Sequence, residues 1–309
     1  MCVRGWGRGG LARRSFRVAA FFVVVVLVAC TSDSGPEAVG LSETSWRKAA
    51  CALPADWLDR IDHGTQRGGG RGSDLVVVAN PEHYIGDEIN TSHSGPYDHL
   101  QEIPLLFYGP GYVKEAQQIT DPVTLTSVAP TTARLIGFDL QDVDAAPLES
   151  ALVQGVAGPP QLVVTIVIDG GGTNVFEYWP DSWPNLRRLS AEGTSYLNAT
   201  VGSSPSITPA SHTTIGTGVY PRRHGVTAIS IRKRGEITGA FTVGTRAEDN
   251  EVDPRVTLSH PTLPELYDRA EDNEPLVALL GFGSWVTGLV GRGSAFPGGD
   301  EDIVGYFDG

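Results

Sequence analysis

The sequence predicts an α/β fold, a mainly parallel sheet covered by helices on both faces. Three observations carry that expectation. Leu162–Ile168 (LVVTIVI) is a nearly uninterrupted apolar run, the pattern of a parallel strand buried on both sides. Helical segments with proline starts and glycine stops alternate with runs of this kind. Composition is that of a packed globular body, with 19% charged residues and 40% from the AVILMFWYC set.

The elements follow in chain order. Residues 1–29 hold five arginines (Arg4, Arg8, Arg13, Arg14, Arg17) and no acid, then the apolar run Val18 to Ala29. That run is too short to span a membrane comfortably and has the basic flank of a signal peptide. It ends in Leu27-Val28-Ala29-Cys30, the lipobox pattern of bacterial lipoproteins. Cleavage before Cys30 and its acylation would anchor the exported chain to the outer face of the cell membrane. Arg13-Arg14-Ser15-Phe16 also resembles a twin-arginine export signal. Residues 30–72 read as a tether and a short helix around Leu53–Ile61, closed by the glycine-rich Arg67–Gly72.

Residues 73–157 form a first block. Leu75–Ala79 and Leu105–Tyr108 are short apolar strands, the second closed by Gly109-Pro110-Gly111. Pro130–Gly137 is a short helix with a glycine stop. Ala157–Pro160 is a linker into a second block, 158–309. There the Leu162–Ile168 run ends at Asp169 and three glycines, Pro184–Gly193 is a helix, and Thr208–Gly218 is a turn into another. Thr262–Glu271 is a third helix and Pro275–Phe282 returns as a strand. Neither block alone has strands enough for a covered sheet, so both are expected in one domain.

Charge narrows the partners. The chain carries 23 basic and 36 acidic residues, net −13, and five of the 23 lie in the first 29 residues. A body this acidic argues against a nucleic-acid-binding surface. An anion site must then be local, built from metals or backbone dipoles. Of the three cysteines, Cys2 falls in the signal and Cys30 at the lipidation position, which leaves Cys51 without an intramolecular partner.

Two residue patterns point to chemistry. Asp169 ends an apolar strand and is followed by Gly170-Gly171-Gly172, where a ligand can approach the carboxyl end of a parallel sheet. A turn aspartate fits the same pattern. Thr208 is placed as a helix N-cap with Pro209 at the first helical position, so its hydroxyl would sit at the positive helix end that favours phosphate. A plain capping threonine has the same signature; beside a metal, such a hydroxyl can become a nucleophile.

Taken together these segments are more specific. Strand–Asp169–Gly, then PNLRRLSAEG, then T-P-A-S-H-x-x-x-G-T-G-x-Y-P-x-x-H-G resembles the alkaline phosphatase superfamily, in its type I phosphodiesterase/nucleotide pyrophosphatase branch. The resemblance implies an alkaline-phosphatase-like fold that hydrolyses phosphate esters, nucleotides among them. It makes Asp169 a metal ligand and Thr208 both a metal ligand and the nucleophile, forming a phospho-enzyme. Pro209 follows Thr208 directly where the family has proline two residues on, which leaves Ser206 as an alternative nucleophile. The family's asparagine five residues after the histidine of the His-Gly turn is here Ile229; Arg232, Lys233 or Arg234 are the nearby cations.

The first block resembles the same superfamily's C-terminal end. Thr91-Ser92-His93-Ser94-Gly95-Pro96-Tyr97, IPLLFYGPG and VAPTTARLIG carry that likeness, and it makes His93 a metal ligand. In the family this segment follows the nucleophile, whereas here it precedes it. A circular permutation accounts for the order, with 73–157 a permuted C-terminal-type segment and 158–309 an N-terminal-type catalytic segment, incomplete at its end. The family centre holds two metals, and mixed His and Asp ligands suit zinc. After Gly218 the only histidines are His224, in the His-Gly turn and read as structural, and His260, which matches no ligand motif. The second metal site is therefore expected to be incomplete in this chain. A catalytically inactive lipoprotein that keeps the fold as a binding module is the alternative reading.

Overall fold

The computed structural model describes residues 24–25, 53–66, 71–73, 76–79, 83, 93–233, 235–240, 258–281, 290–291 and 303–306. Cys30, Cys51 and Arg234 lie outside these residues. Among the described residues no helix is long and apolar enough to cross a membrane.

The two sequence blocks interleave. Strand β6 (Thr194–Tyr196), from the second block, lies between two strands of the first. β3 (Leu105–Phe107) pairs with it antiparallel, setting Leu105 against Tyr196; β4 (Gln117–Ile119) pairs with it in parallel, setting Ile119 against the same residue. β5 (Val123–Thr124) and β7 (Ala199–Thr200) repeat the association as a short parallel pair. Elsewhere β1 (Val24–Val25) pairs with β2 (Val76–Val77), β8 (Ser230–Lys233) forms a hairpin with β9 (Glu236–Gly239), and β10 (Ala278–Gly281) runs parallel to β11 (Ile303–Tyr306).

The mixed α/β character is as expected; a single mainly parallel sheet is not what the described residues form. Leu162–Ile168 is the point of difference. It belongs to no sheet, and Leu162, Val164 and Ile166 are 77%, 67% and 66% exposed, while Val163 and Val167 are about half as exposed. That period of two is an extended segment with one face partly covered. A central parallel strand needs hydrogen-bonding neighbours on both edges, and the strands of the described parallel pairs, β4 with β6, β5 with β7 and β10 with β11, do not pair with this segment.

Helices occupy the predicted places. α1 spans Ala55–Gly64, and α2 is a single turn, Asp98–Gln101. α3 spans Val128–Ile136 and stops at Gly137, whose φ of 77° is the left-handed conformation that glycine adopts without strain. α4 spans Thr173–Tyr178, α5 Pro184–Glu192, α6 Thr208–Thr217 and α7 Pro221–His224. α8 spans Leu263–Ala270; the Thr262 hydroxyl accepts the Glu265 amide, a capping bond at its start.

α3 organises the core. Val128 packs with Leu125, Val201 and Ile215; Ala129 and Ala133, one turn apart, meet Leu263 of α8; Leu135 packs on the cluster of Ala151, Leu152, Tyr196 and Ala199. Its buried Thr131 is satisfied, donating to Ser127 O at 2.6 Å and accepting from Leu148 N at 3.0 Å. First-block and second-block residues therefore share each of these clusters, and the ends of α6 and of the His93 loop are set from one core.

Candidate active site

α6 presents the candidate nucleophile. Ile207 is extended (φ −117°, ψ 158°) and is the cap residue, which makes Thr208 the first helical residue, not the cap that its sequence context suggests. The Thr208 hydroxyl makes no capping bond to its own helix; it donates to Asp169 Oδ2 at 2.7 Å. Pro209 occupies the first turn, where its missing N–H costs nothing, and α6 ends at a left-handed Gly218. Thr208 thus keeps its position at the positive end of a ten-residue helix.

Asp169 stands in a turn between the extended 162–168 segment and α4. Its backbone is held by Gly171 N donating to Ile168 O and by Thr173 N donating to Glu102 O in the first block. One carboxylate oxygen takes the Thr208 hydroxyl. The other, Oδ1, lies 3.4 Å from His93 Nε2.

His93 reaches this point from the far block. Its Nδ1 is 2.7 Å from Ser206 O, so Nδ1–H donates to the carbonyl and Nε2 is the ring nitrogen that faces Asp169. A backbone carbonyl fixing the tautomer through the second ring nitrogen is how ligating histidines are oriented. The side chains of His93 and Asp169 are 44% and 26% exposed, so the group faces solvent and is open to a substrate.

The structure therefore brings together Thr208, Asp169 and His93. Nitrogen and oxygen donors of this mixture fit a zinc ion. Among the described residues, however, no cluster of three or more His, Cys, Asp or Glu side chains is arranged to hold a metal; the third donor here is a hydroxyl. His224 is elsewhere and has structural work. It is fully buried, its Nε2 is 3.1 Å from the Thr214 hydroxyl, and its Nδ1 accepts Val226 N. Burial pushes its imidazole down to about 3, with neighbouring His260 and Arg71 adding to the effect. His260 lies 3.9 Å from Asp142, in a network where Arg223 pairs with Asp142 and, at 2.8 Å, with Asp144. Ile229 is 53% exposed and brings no polar atom to the place of the family's asparagine.

Residues 163–286 match the family model for type I phosphodiesterase / nucleotide pyrophosphatase. The matched segment, less than half of the chain, contains Asp169 and Thr208 and leaves His93 outside. It supports the alkaline phosphatase superfamily and, in general terms, phosphoric ester hydrolysis. Neither a curated protein nor a solved structure matches the chain significantly.

Three residues tie the site together in roles that the sequence does not signal, Ser206 among them, which the sequence offers only as an alternative nucleophile. Ser206 is buried; its hydroxyl donates to His93 O at 2.5 Å and accepts Gly95 N at 3.3 Å, so it serves as a bracket for the His93 loop. Gln101, also fully buried, donates to Gly95 O at 2.7 Å and to Ser203 O at 2.9 Å, and accepts Gly202 N at 3.0 Å. Arg60 reaches the same two segments from α1. Each is an ordinary polar residue whose importance depends on partners distant in sequence.

Proposed function

We propose that this chain is a metal-dependent phosphoric ester hydrolase, a phosphodiesterase/nucleotide pyrophosphatase or phosphatase, acting through Thr208 and a phospho-enzyme. The observation that carries the reading is that Thr208 Oγ1, at 2.7 Å, and His93 Nε2, at 3.4 Å, meet the two oxygens of the Asp169 carboxylate at the start of α6. The zinc held by His93, Asp169 and Thr208 would supply positive charge that polarises the phosphoryl group and favours an ionised hydroxyl. Asp169 aims Thr208 Oγ1 and receives its proton. The free amides at the start of α6 favour the phosphoryl oxygens. The Oγ1–P bond forms as the P–O bond to the alcohol breaks; the departing alkoxide takes a proton from solvent, and Asp169 returns the one it received. Water then cleaves the threonyl ester, releasing phosphate from a monoester or a phosphomonoester from a diester, and restoring the hydroxyl.

Two further elements complete the proposal. The first block is a circularly permuted C-terminal-type segment, a reading supported by the first-block origin of His93 and by the family match beginning only at residue 163. The chain is exported and lipid-anchored at Cys30, a reading supported by the basic flank, the apolar run and the lipobox.

The test is hydrolysis of p-nitrophenyl phosphate and bis-p-nitrophenyl phosphate by the full chain, after chelation and after zinc is restored, with Asp169→Asn alongside. Zinc-dependent turnover that drops by about 100-fold or more in Asp169→Asn is expected. Turnover indifferent to chelation, or unchanged in the variant, contradicts the mechanism. A second reading, an inactive binding module on the same fold, draws on the exposed Ile229. A folded chain that binds zinc and cleaves neither ester would establish it.

A further inference from the structure

Helix α1 is the short helix expected at the end of the tether, and it is bonded to both segments that make the candidate site. Only Ile61 and Gly64 of its ten residues are buried, so it contributes little to the core. Its attachments are directed polar bonds. His63 Nδ1 bonds to Gly202 O at 2.9 Å, and its ring stacks on Tyr220 with centroids 3.8 Å apart. Trp57 meets the edge of Tyr97, four residues after His93, at 4.8 Å. Gly64 passes so close to Ser204 that a Cβ there would come within 1.7 Å of Ser204 O, so no side chain is tolerated.

Arg60 is the residue that touches both sides. Its main-chain oxygen accepts Ser204 N at 2.7 Å, in the segment that leads into Thr208. Its Nη1 donates to Pro96 O at 2.6 Å and to Asp98 Oδ1 at 2.7 Å, in the loop that carries His93. Asp56, one turn back on α1, holds Nη2 at 3.2 Å, so the guanidinium fork is fixed from behind; the side chain is only 14% exposed.

We propose that Arg60 is a positioning residue for this site, holding the His93 loop in register with the segment that presents Thr208. The proposal rests on the hydrolase reading above. Its physical basis is that donors from two distant segments keep a productive geometry only when their supports are locked to within about 0.5 Å. Lysine cannot replace the fork, because a single ammonium cannot address Pro96 O, Asp98 and Asp56 in one plane.

The experiment compares wild type, Arg60→Ala, Arg60→Lys and the exposed α1 control Asp59→Ala, all in the full chain. Zinc-dependent hydrolysis of bis-p-nitrophenyl phosphate is measured with and without millimolar guanidinium. The ¹H–¹³C resonances of the His93 ring are recorded without zinc or substrate, and thermal melting is followed. Expected for Arg60→Ala is a loss of about 10–100-fold in kcat with KM little changed, displaced His93 resonances, and partial recovery of both on adding guanidinium. Arg60→Lys recovers little, and Asp59→Ala matches wild type. Unchanged kcat and His93 resonances in Arg60→Ala overturn the proposal. So does a loss that follows the melting temperature and ignores guanidinium. If wild type itself shows no turnover, the hydrolase reading fails on that arm, and the His93 resonances alone decide whether Arg60 positions the loop.

Discussion

Two hydroxyls at the start of α6, Ser206 just before it and Thr208 its first residue, compete for the role of nucleophile, and the structure predicts opposite phenotypes for removing them. Ser206 is buried and uses its hydroxyl twice, donating to His93 O and accepting Gly95 N. Ser206→Ala removes one net hydrogen bond, about 1 kcal/mol, and strands a buried amide at about 1–2 kcal/mol more. The expected loss of stability is about 2–3 kcal/mol. Thr208 is partly exposed, makes one bond to Asp169 and caps nothing, so Thr208→Ala costs about 1 kcal/mol or less. The chemistry runs the other way. Thr208→Ala forms no phospho-enzyme, whereas Ser206→Ala still forms one at lower temperature, where its folded fraction is high. Urea unfolding at constant m-value gives the stabilities, and acid trapping of the phosphorylated chain followed by peptide mapping gives the site. Phosphorylation that persists in Thr208→Ala and disappears in Ser206→Ala would refute the assignment of roles.

His224 and the 162–168 segment yield further tests. Because burial holds the His224 imidazole near 3 against an ordinary 6.5, the unfolded chain binds a proton that the folded chain refuses between those values. Its contribution to stability is complete above 6.5 and is lost on acidification at up to about 1.4 kcal/mol per pH unit. Urea midpoints between pH 7.5 and 5 should fall more steeply for wild type than for His224→Asn, and equal slopes would remove His224 as the cause. Val164→Thr and Ile166→Thr should each cost less than about 0.5 kcal/mol, since both side chains already face solvent. A loss of about 2 kcal/mol in either, measured by the same unfolding, would show the segment to be buried in solution.

What was legible in the sequence was whatever is decided locally. The starts at Pro184 and Pro209, the stops at Gly137 and Gly218, and the Thr262–Glu265 cap are fixed by backbone chemistry within one turn, and each predicted helix lies within a few residues of its place. The small mixed sheets of the described residues were not legible, because Leu162–Ile168 records a preference for burial and says nothing of which strands will flank it. Thr208 shows the same limit at the scale of one residue. Its context specifies a cap, yet Ile207 is the extended cap residue, and the Thr208 hydroxyl donates to Asp169, 39 residues away, a partner that local context does not record. His93, Asp169 and Thr208 stand in recognisable motifs, whereas Arg60, Gln101 and Ser206 earn their places only through the folded geometry.

Chain order matters less to this site than the pairing of its parts. β6 is held on one edge by β3 and on the other by β4, α3 joins core clusters drawn from both blocks, and Gln101 bonds to both site segments. None of these bonds depends on which block comes first. The connection between the blocks is the part with least at stake: residues 153–159 are exposed, and they touch the fold through bonds such as Val153 N to Tyr112 O and Tyr112 OH to Pro159 O. A loop of this kind tolerates cutting and rejoining, provided that the pairings on either side are kept. On this reasoning the permuted arrangement we propose needs no new packing; it only requires that His93 approach Asp169 from a segment made before the nucleophile instead of after it.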